Sequence, residues 1–188
     1  MNILEKQLKA LVKLFSTTKT EYAILGGFAV ALYGEPRMTV DIDVNISIAK
    51  EEIGTFLVAA RKFGFYPLAA NINSFIKETG VIPLKFGKGK KICSCDIIIA
   101  ESPLEYAGLK RAKIKKVGTL KARFITPEDL IIHKITSDRP RDIEDLKGIL
   151  LRQQGKLDMK YIMFWLKRIA KANHKPELIG LFKNLLRL

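Results

Sequence analysis

The chain has 188 residues, 48% hydrophobic and 28% charged, and its 33 Lys and Arg outnumber 19 Asp and Glu for a formal net charge of +14. This balance excludes a disordered chain, and no apolar run reaches the roughly 18 residues that would cross a bilayer, so no membrane partner is expected. The amphipathic N-terminus is unlike a signal peptide and two cysteines cannot staple a chain of this length, so a cytoplasmic protein is expected.

Ile3, Leu4, Leu8, Leu11, Val12 and Phe15 share one face of a helix predicted over residues 3–16. Tyr22-Ala23-Ile24-Leu25 reads as a short buried strand that stops at Gly26-Gly27. A helical pattern resumes over 28–33, and Gly34-Glu35-Pro36 breaks it. Residues 39–48 alternate as a strand, with Val40, Ile42, Val44 and Ile46 on one face and Asp41, Asp43 and Asn45 on the other. A helix follows over 50–63, then short strands over 64–90 with turns at Gly80 and Gly87–Gly89, then an apolar strand over 92–100. Residues 103–116 read as a basic helix, followed by a strand near 122–125. Thr126-Pro127-Glu128-Asp129 has the cap, proline and acids of a helix start. Helices are predicted over 127–137, 141–153, 158–172 and 176–187. The reading is a mixed α/β (α+β) core over 1–125 and a helical C-terminal domain over 126–188.

The positive charge is uneven. Residues 1–83 carry a net +1, 84–123 a net +8, 124–150 a net −2 and 151–188 a net +7. Such blocks attract polyanions by counterion release, and they also serve as solvated surface. Cys93 and Cys95 lack His or Cys partners at zinc-ligand spacing, because the two histidines are His133 and His174. They are read as buried, reduced thiols.

Three features bear on chemistry. Gly26-Gly27 at a helix start lets a phosphate approach backbone donors. Asp41 and Asp43 project to the same side of one strand about 7 Å apart, and a divalent cation is the natural compensation for such a pair. Asp96 is a lone acid among Ile92, Cys93, Cys95, Ile97, Ile98 and Ile99. A carboxylate there needs a partner, a solvated cleft or a metal.

Leu25-Gly26-Gly27, thirteen intervening residues and Asp41-Ile42-Asp43-Val44 together resemble the signature of the polymerase-beta-type nucleotidyltransferase superfamily. Residues 26–44, GGFAVALYGEPRMTVDIDV, are similar to the AbiEii-like toxin nucleotidyltransferases and related minimal enzymes, and residues 125–146 resemble a second block of that group. The resemblance implies a nucleotidyltransferase-type mixed sheet flanked by helices. It implies that Asp41, Asp43 and Asp96 hold two Mg²⁺ ions (or Mn²⁺) and form the catalytic acids, and that Gly26 and Gly27 lie under the nucleotide phosphates. Arg37 and Lys134 are the candidates to offset charge on the triphosphate. Many relatives carry Gly-Ser where this chain has Gly26-Gly27, which leaves backbone amides without the hydroxyl.

The expected activity is Mg²⁺-dependent transfer of a nucleoside monophosphate from an NTP to a hydroxyl of RNA, such as a tRNA end, or of a protein. A toxin-type member would have an antitoxin partner. The alternative is a non-catalytic nucleotide- or RNA-binding module on the same fold. Arg139, Arg141, Asp142 and Asp145 are read as a structural Arg–Asp network, His133 as a packed side chain and Trp165 as part of a buried helix stripe.

Overall fold

The computed structural model describes residues 3–39, 41–89, 91–137 and 139–187. Val40, expected on the apolar face of the second strand, lies outside the described residues. The chain divides into two compact units, Met1–Phe28 with Met38–Phe124, and Ala29–Arg37 with Ile125–Leu188. The helical C-terminal region thus forms a unit with the short segment Ala29–Arg37.

The first unit contains α1 (Ile3–Thr18), β1 (Glu21–Leu25), the start of α2 (Gly26–Tyr33), β2 (Asp41–Ser47), α3 (Ile53–Lys62), β3 (Phe65–Pro67), α4 (Ile72–Thr79), β4 (Val81–Lys88), β5 (Lys91–Ile99), α5 (Pro103–Arg111), β6 (Lys113–Val117) and β7 (Leu120–Phe124). Its seven strands form one mixed sheet in the order β3-β4-β5-β2-β1-β7-β6. The pairs β2·β5 and β1·β7 are parallel, and the other neighbours are antiparallel. This is the mixed sheet flanked by helices that the sequence implied.

Ile24, Ile42, Val44 and Ile46 are fully buried on one face, together with Leu8, Leu11, Leu14 and Phe15 of α1. Phe15 stacks on Tyr22 at 4.4 Å between centroids and lies 6.3 Å from Phe56 of α3. Each such side chain stabilises the fold by about 1.5–3 kcal/mol on burial. On the other face α5 seats Leu109 against Ala23 and Ala100.

Two stretches differ from the sequence reading. Residues 64–90 hold a helix, α4, as well as strands. The Asn71 side chain accepts from the Ser74 amide at its start, and Gly80 ends it at φ 67°. Its eight residues bury only Ile76, too short a pattern to reveal helical periodicity. The helix read over 103–116 stops at Arg111, and Lys113–Val117 is an edge strand paired with β7. Its capping box, Ser102 with Glu105, is legible locally, whereas pairing with Leu120–Phe124 is not.

The second unit contains α6 (Pro127–Thr136), α7 (Pro140–Arg152), α8 (Met159–Ala172) and α9 (Glu177–Leu185). The Thr126 side chain accepts from the Asp129 amide and donates to Asp129 Oδ2, which sets the start of α6. Among the described residues no helix is long and apolar enough to cross a membrane.

Candidate active site

Strand register assembles the acids. β2 and β5 run parallel with Asp43 opposite Asp96 and Asp41 opposite Ser94. Side chains directly opposite each other share a face, and neighbouring strands are about 4.8 Å apart. Asp41, Asp43, Ser94 and Asp96 therefore occupy one face, all half-buried. Asp41 Oδ1 accepts a hydrogen bond from Thr39 Oγ1 at 2.7 Å. Asn45, the next residue on this face, is buried rather than solvent-facing, and its Oδ1 lacks a hydrogen-bond partner.

On the β1 side, Leu25 pairs with Asp43, and the chain turns at once into α2. Gly26 opens that helix at φ 62°, and a Cβ built there would stand 1.7 Å from Asp43 Oδ2. The Asp43 carboxylate thus fills the notch that the missing side chain leaves. Gly27 follows it in the first turn of α2.

Burial, followed by the Asp41 charge, holds the Asp96 carboxyl above its ordinary pKa. On the opposite face Cys95 is fully buried. Burial and the charges of Asp96, Asp43 and Asp41 push its thiol well up. Both cysteines are free and buried, as read from the sequence.

Three carboxylates offer only hard oxygen donors, the chemistry that suits Mg²⁺ or Mn²⁺. Among the described residues, no three His, Cys, Asp or Glu side chains are gathered closely enough to hold a metal on their own. Mg²⁺ characteristically takes one or two carboxylates and completes its shell with phosphate oxygens and water, so a face of neighbouring acids fits it.

Arg37 and Lys134 lie in the second unit, within an ion-pair network. Arg37 donates from Nε and Nη2 to Asp145 at 2.8 and 3.0 Å. Lys134 Nζ donates to Asp145 at 2.8 Å and to Asp142, and Asp142 also accepts from Ser137 and from Arg139 Nε. Lys134 is 6% exposed. Burial acts to raise the pKa of Asp142, yet hydrogen bonds from Lys134 and Ser137 and the charges of Lys134 and Arg139 hold it below the usual range. Asp145 is lowered likewise, with hydrogen bonds from Arg37 and Lys134 overcoming burial. Of the network expected from Arg139, Arg141, Asp142 and Asp145, the two acids and Arg139 take part, Lys134 and Arg37 join them, and Arg141 is exposed and stands outside it.

Sequence reading missed Thr39, which orients Asp41, and Lys85 of β4, which pairs with Ser94 and flanks the acids on the same face. A hydroxyl two residues before an Asp is a weak local signal. Nothing in the sequence points to Lys85, because its position depends on register.

Residues 96–178 match the family model described as a nucleotidyl transferase of unknown function (DUF2204). No curated protein matches the chain. Among solved structures, an antigenic nucleotidyltransferase-like protein from Paracoccidioides brasiliensis superposes with a TM-score of 0.56 at 17% identity, covering 96% of this chain and 92% of that one. The antibiotic-resistance factor ANT(2'')-Ia gives 0.57 at 14% identity, covering 93% and 97%. The lincosamide antibiotic adenylyltransferase LnuA, solved with lincomycin bound, gives 0.54 at 18% identity, covering 79% and 98%. The fold is that of nucleotidyltransferases.

Proposed function

We propose that the chain is a nucleotidyltransferase that moves a nucleoside monophosphate from an NTP to a hydroxyl group and releases pyrophosphate. The observation that carries this reading is the β2·β5 register, which sets Asp96 opposite Asp43 and two rungs of acid-bearing strand side by side. The fold and the family model over residues 96–178 support it. A toxin-type role with an antitoxin partner rests on the sequence resemblance.

In the reaction the acceptor oxygen bonds to the α-phosphorus, and the bond from that phosphorus to the bridging oxygen of pyrophosphate breaks. The hydroxyl proton passes to a carboxylate. Asp96, the third acid on this face, is the residue proposed to accept it. Gly26 and Gly27 offer amide donors at the start of α2 to the phosphates. Asp41, Asp43 and Asp96 would hold Mg²⁺ with the triphosphate oxygens, and two ions bound there would stabilise the attacking and leaving oxygens. The role of Arg37 and Lys134 toward the triphosphate rests on the sequence resemblance.

Acceptors in keeping with this chemistry are an RNA end, including that of tRNA, or a protein hydroxyl. The net +8 and +7 blocks favour RNA. The test is incubation with each α-labelled NTP, Mg²⁺ and total RNA, comparing wild type with Asp41→Asn/Asp43→Asn. Label in RNA that requires both acids is expected. Absence of transfer, with RNA binding unchanged in the variant, would identify a non-catalytic binding module instead.

A further inference from the structure

We infer that a pocket on the acid face receives the terminal nucleotide of an RNA acceptor, with Arg61, Tyr66 and Lys85 as its specificity-determining residues. The inference rests on the nucleotidyl-transfer reading and names where its acceptor sits. A pocket of about 600 Å³ is lined by Arg61, Tyr66, Ile72, Lys85, Gly87 and Ile92, among others.

Its position follows from register. Tyr66 of β3 pairs with Lys85 of β4, Lys85 pairs with Ser94 of β5, and Ser94 pairs with Asp41 of β2. These four residues form one row across the sheet on one face. Lys85 and Asp41 are two strand spacings apart, about 10 Å between Cα atoms. A second pairing, Pro83 with Asp96, places Lys85 on the diagonal from Asp96, about 7–8 Å away at Cα.

The glycine turn before α2 lies on the other side of the acids, next to β1. The face therefore has phosphate donors on the β1 side, carboxylates in the middle and a pocket on the β4 side. An in-line displacement needs that order, because the attacking oxygen enters opposite the leaving pyrophosphate. A terminal nucleotide in the pocket is long enough to carry its hydroxyl over Ser94 to the acids.

The lining chemistry selects the ligand. Arg61 and Lys85 supply two cations, Tyr66 a phenol ring, and Ile72 and Ile92 apolar side chains. No Asp or Glu is among the described lining residues. A base stacks on an aromatic ring and packs on apolar side chains, and phosphate pairs with Arg and Lys. A polycationic acceptor such as tobramycin, whose adenylyl-2'' derivative is held in one ANT(2'')-Ia structure, would meet like charge here.

The experiment uses the full chain and a short RNA bearing 3′-terminal 4-thiouridine. Irradiation without NTP, followed by peptide mapping, should place the crosslink within residues 61–72 or 85–92. Crosslinks only to residues 113–123 or 152–187 would overturn the pocket. In kinetics, Arg61→Glu/Lys85→Glu should raise KM for RNA about tenfold or more, with the affinity for NTP and the thermal midpoint unchanged, and Lys85→Arg should restore it. An equal change in NTP affinity, no change in either, or preferential labelling of tobramycin over RNA would each refute the assignment. A 3′-end crosslink in the pocket without any transfer would uphold the pocket and refute the transferase reading. Transfer that ignores the double variant would do the reverse.

Discussion

Gly26 is the position where backbone and chemistry meet most tightly. Its φ of 62° suits glycine, and a Cβ there would overlap Asp43 Oδ2 at 1.7 Å. Gly26→Ala should destabilise the fold by about 1–3 kcal/mol, the cost of a non-glycine residue in that conformation, and abolish transfer by displacing the carboxylate. Thermal melts and the labelling assay read the two effects separately. Asp96 carries the second prediction. Its folded pKa is raised by burial and then by Asp41, so its ionisation opposes folding as pH rises through that value. In the metal-free protein, carboxyl carbon NMR should find Asp96 titrating above the ordinary Asp range. Asp41→Asn should lower that midpoint, because it removes the neighbouring charge and leaves the burial. An unchanged midpoint would mean that Asp41 does not act on Asp96.

At the scale of elements, the helices of the second unit are tied by a buried charge network. Lys134 of α6 donates to Asp142 and Asp145 of α7, and Arg37 closes on Asp145. Removing one partner strands the others in low dielectric, so Lys134→Met should destabilise the chain by about 3 kcal/mol in denaturant titrations at neutral pH. Both acids have depressed folded pKa values. Their stabilisation is therefore complete above the unfolded carboxylate value, about 4, and is lost as pH falls through the folded values. The difference between wild type and Lys134→Met should shrink in acid; a gap that persists at low pH would show that packing, not charge, sets it. The edge strand β6 corrects an expectation of this scale. Residues 113–117 are not the end of a basic helix but a lysine-rich strand at the end of the sheet. Lysines on such an edge discourage pairing with another chain.

For the whole molecule, the net charge of +14 and its two basic blocks make any RNA complex sensitive to salt. If an RNA end is held through about three phosphates, affinity should fall roughly twentyfold between ~50 and ~200 mM monovalent salt. Equilibrium titration with a fluorescent oligonucleotide measures the slope, and a flat dependence would remove polyanion binding as the purpose of the charge. The pocket variant Arg61→Glu/Lys85→Glu should reduce the slope, since two of the cations belong to the pocket.

The sequence by itself determined the acids Asp41, Asp43 and Asp96, the Gly26-Gly27 turn, the apolar strands and the helical C-terminal region. Each is written in local terms: period-two alternation, a break at glycine, a cap followed by proline and acids. It did not determine α4 or β6, whose short patterns become meaningful only beside their neighbours. Nor did it determine that Asp96 faces Asp43, that Lys134 and Arg37 are engaged by Asp142 and Asp145, or that Tyr66 and Lys85 share a row with Asp41. Those facts depend on strand order and register. A slip of one residue would turn a whole strand's side chains to the other face, and it is the packing of the full sheet that excludes the slip.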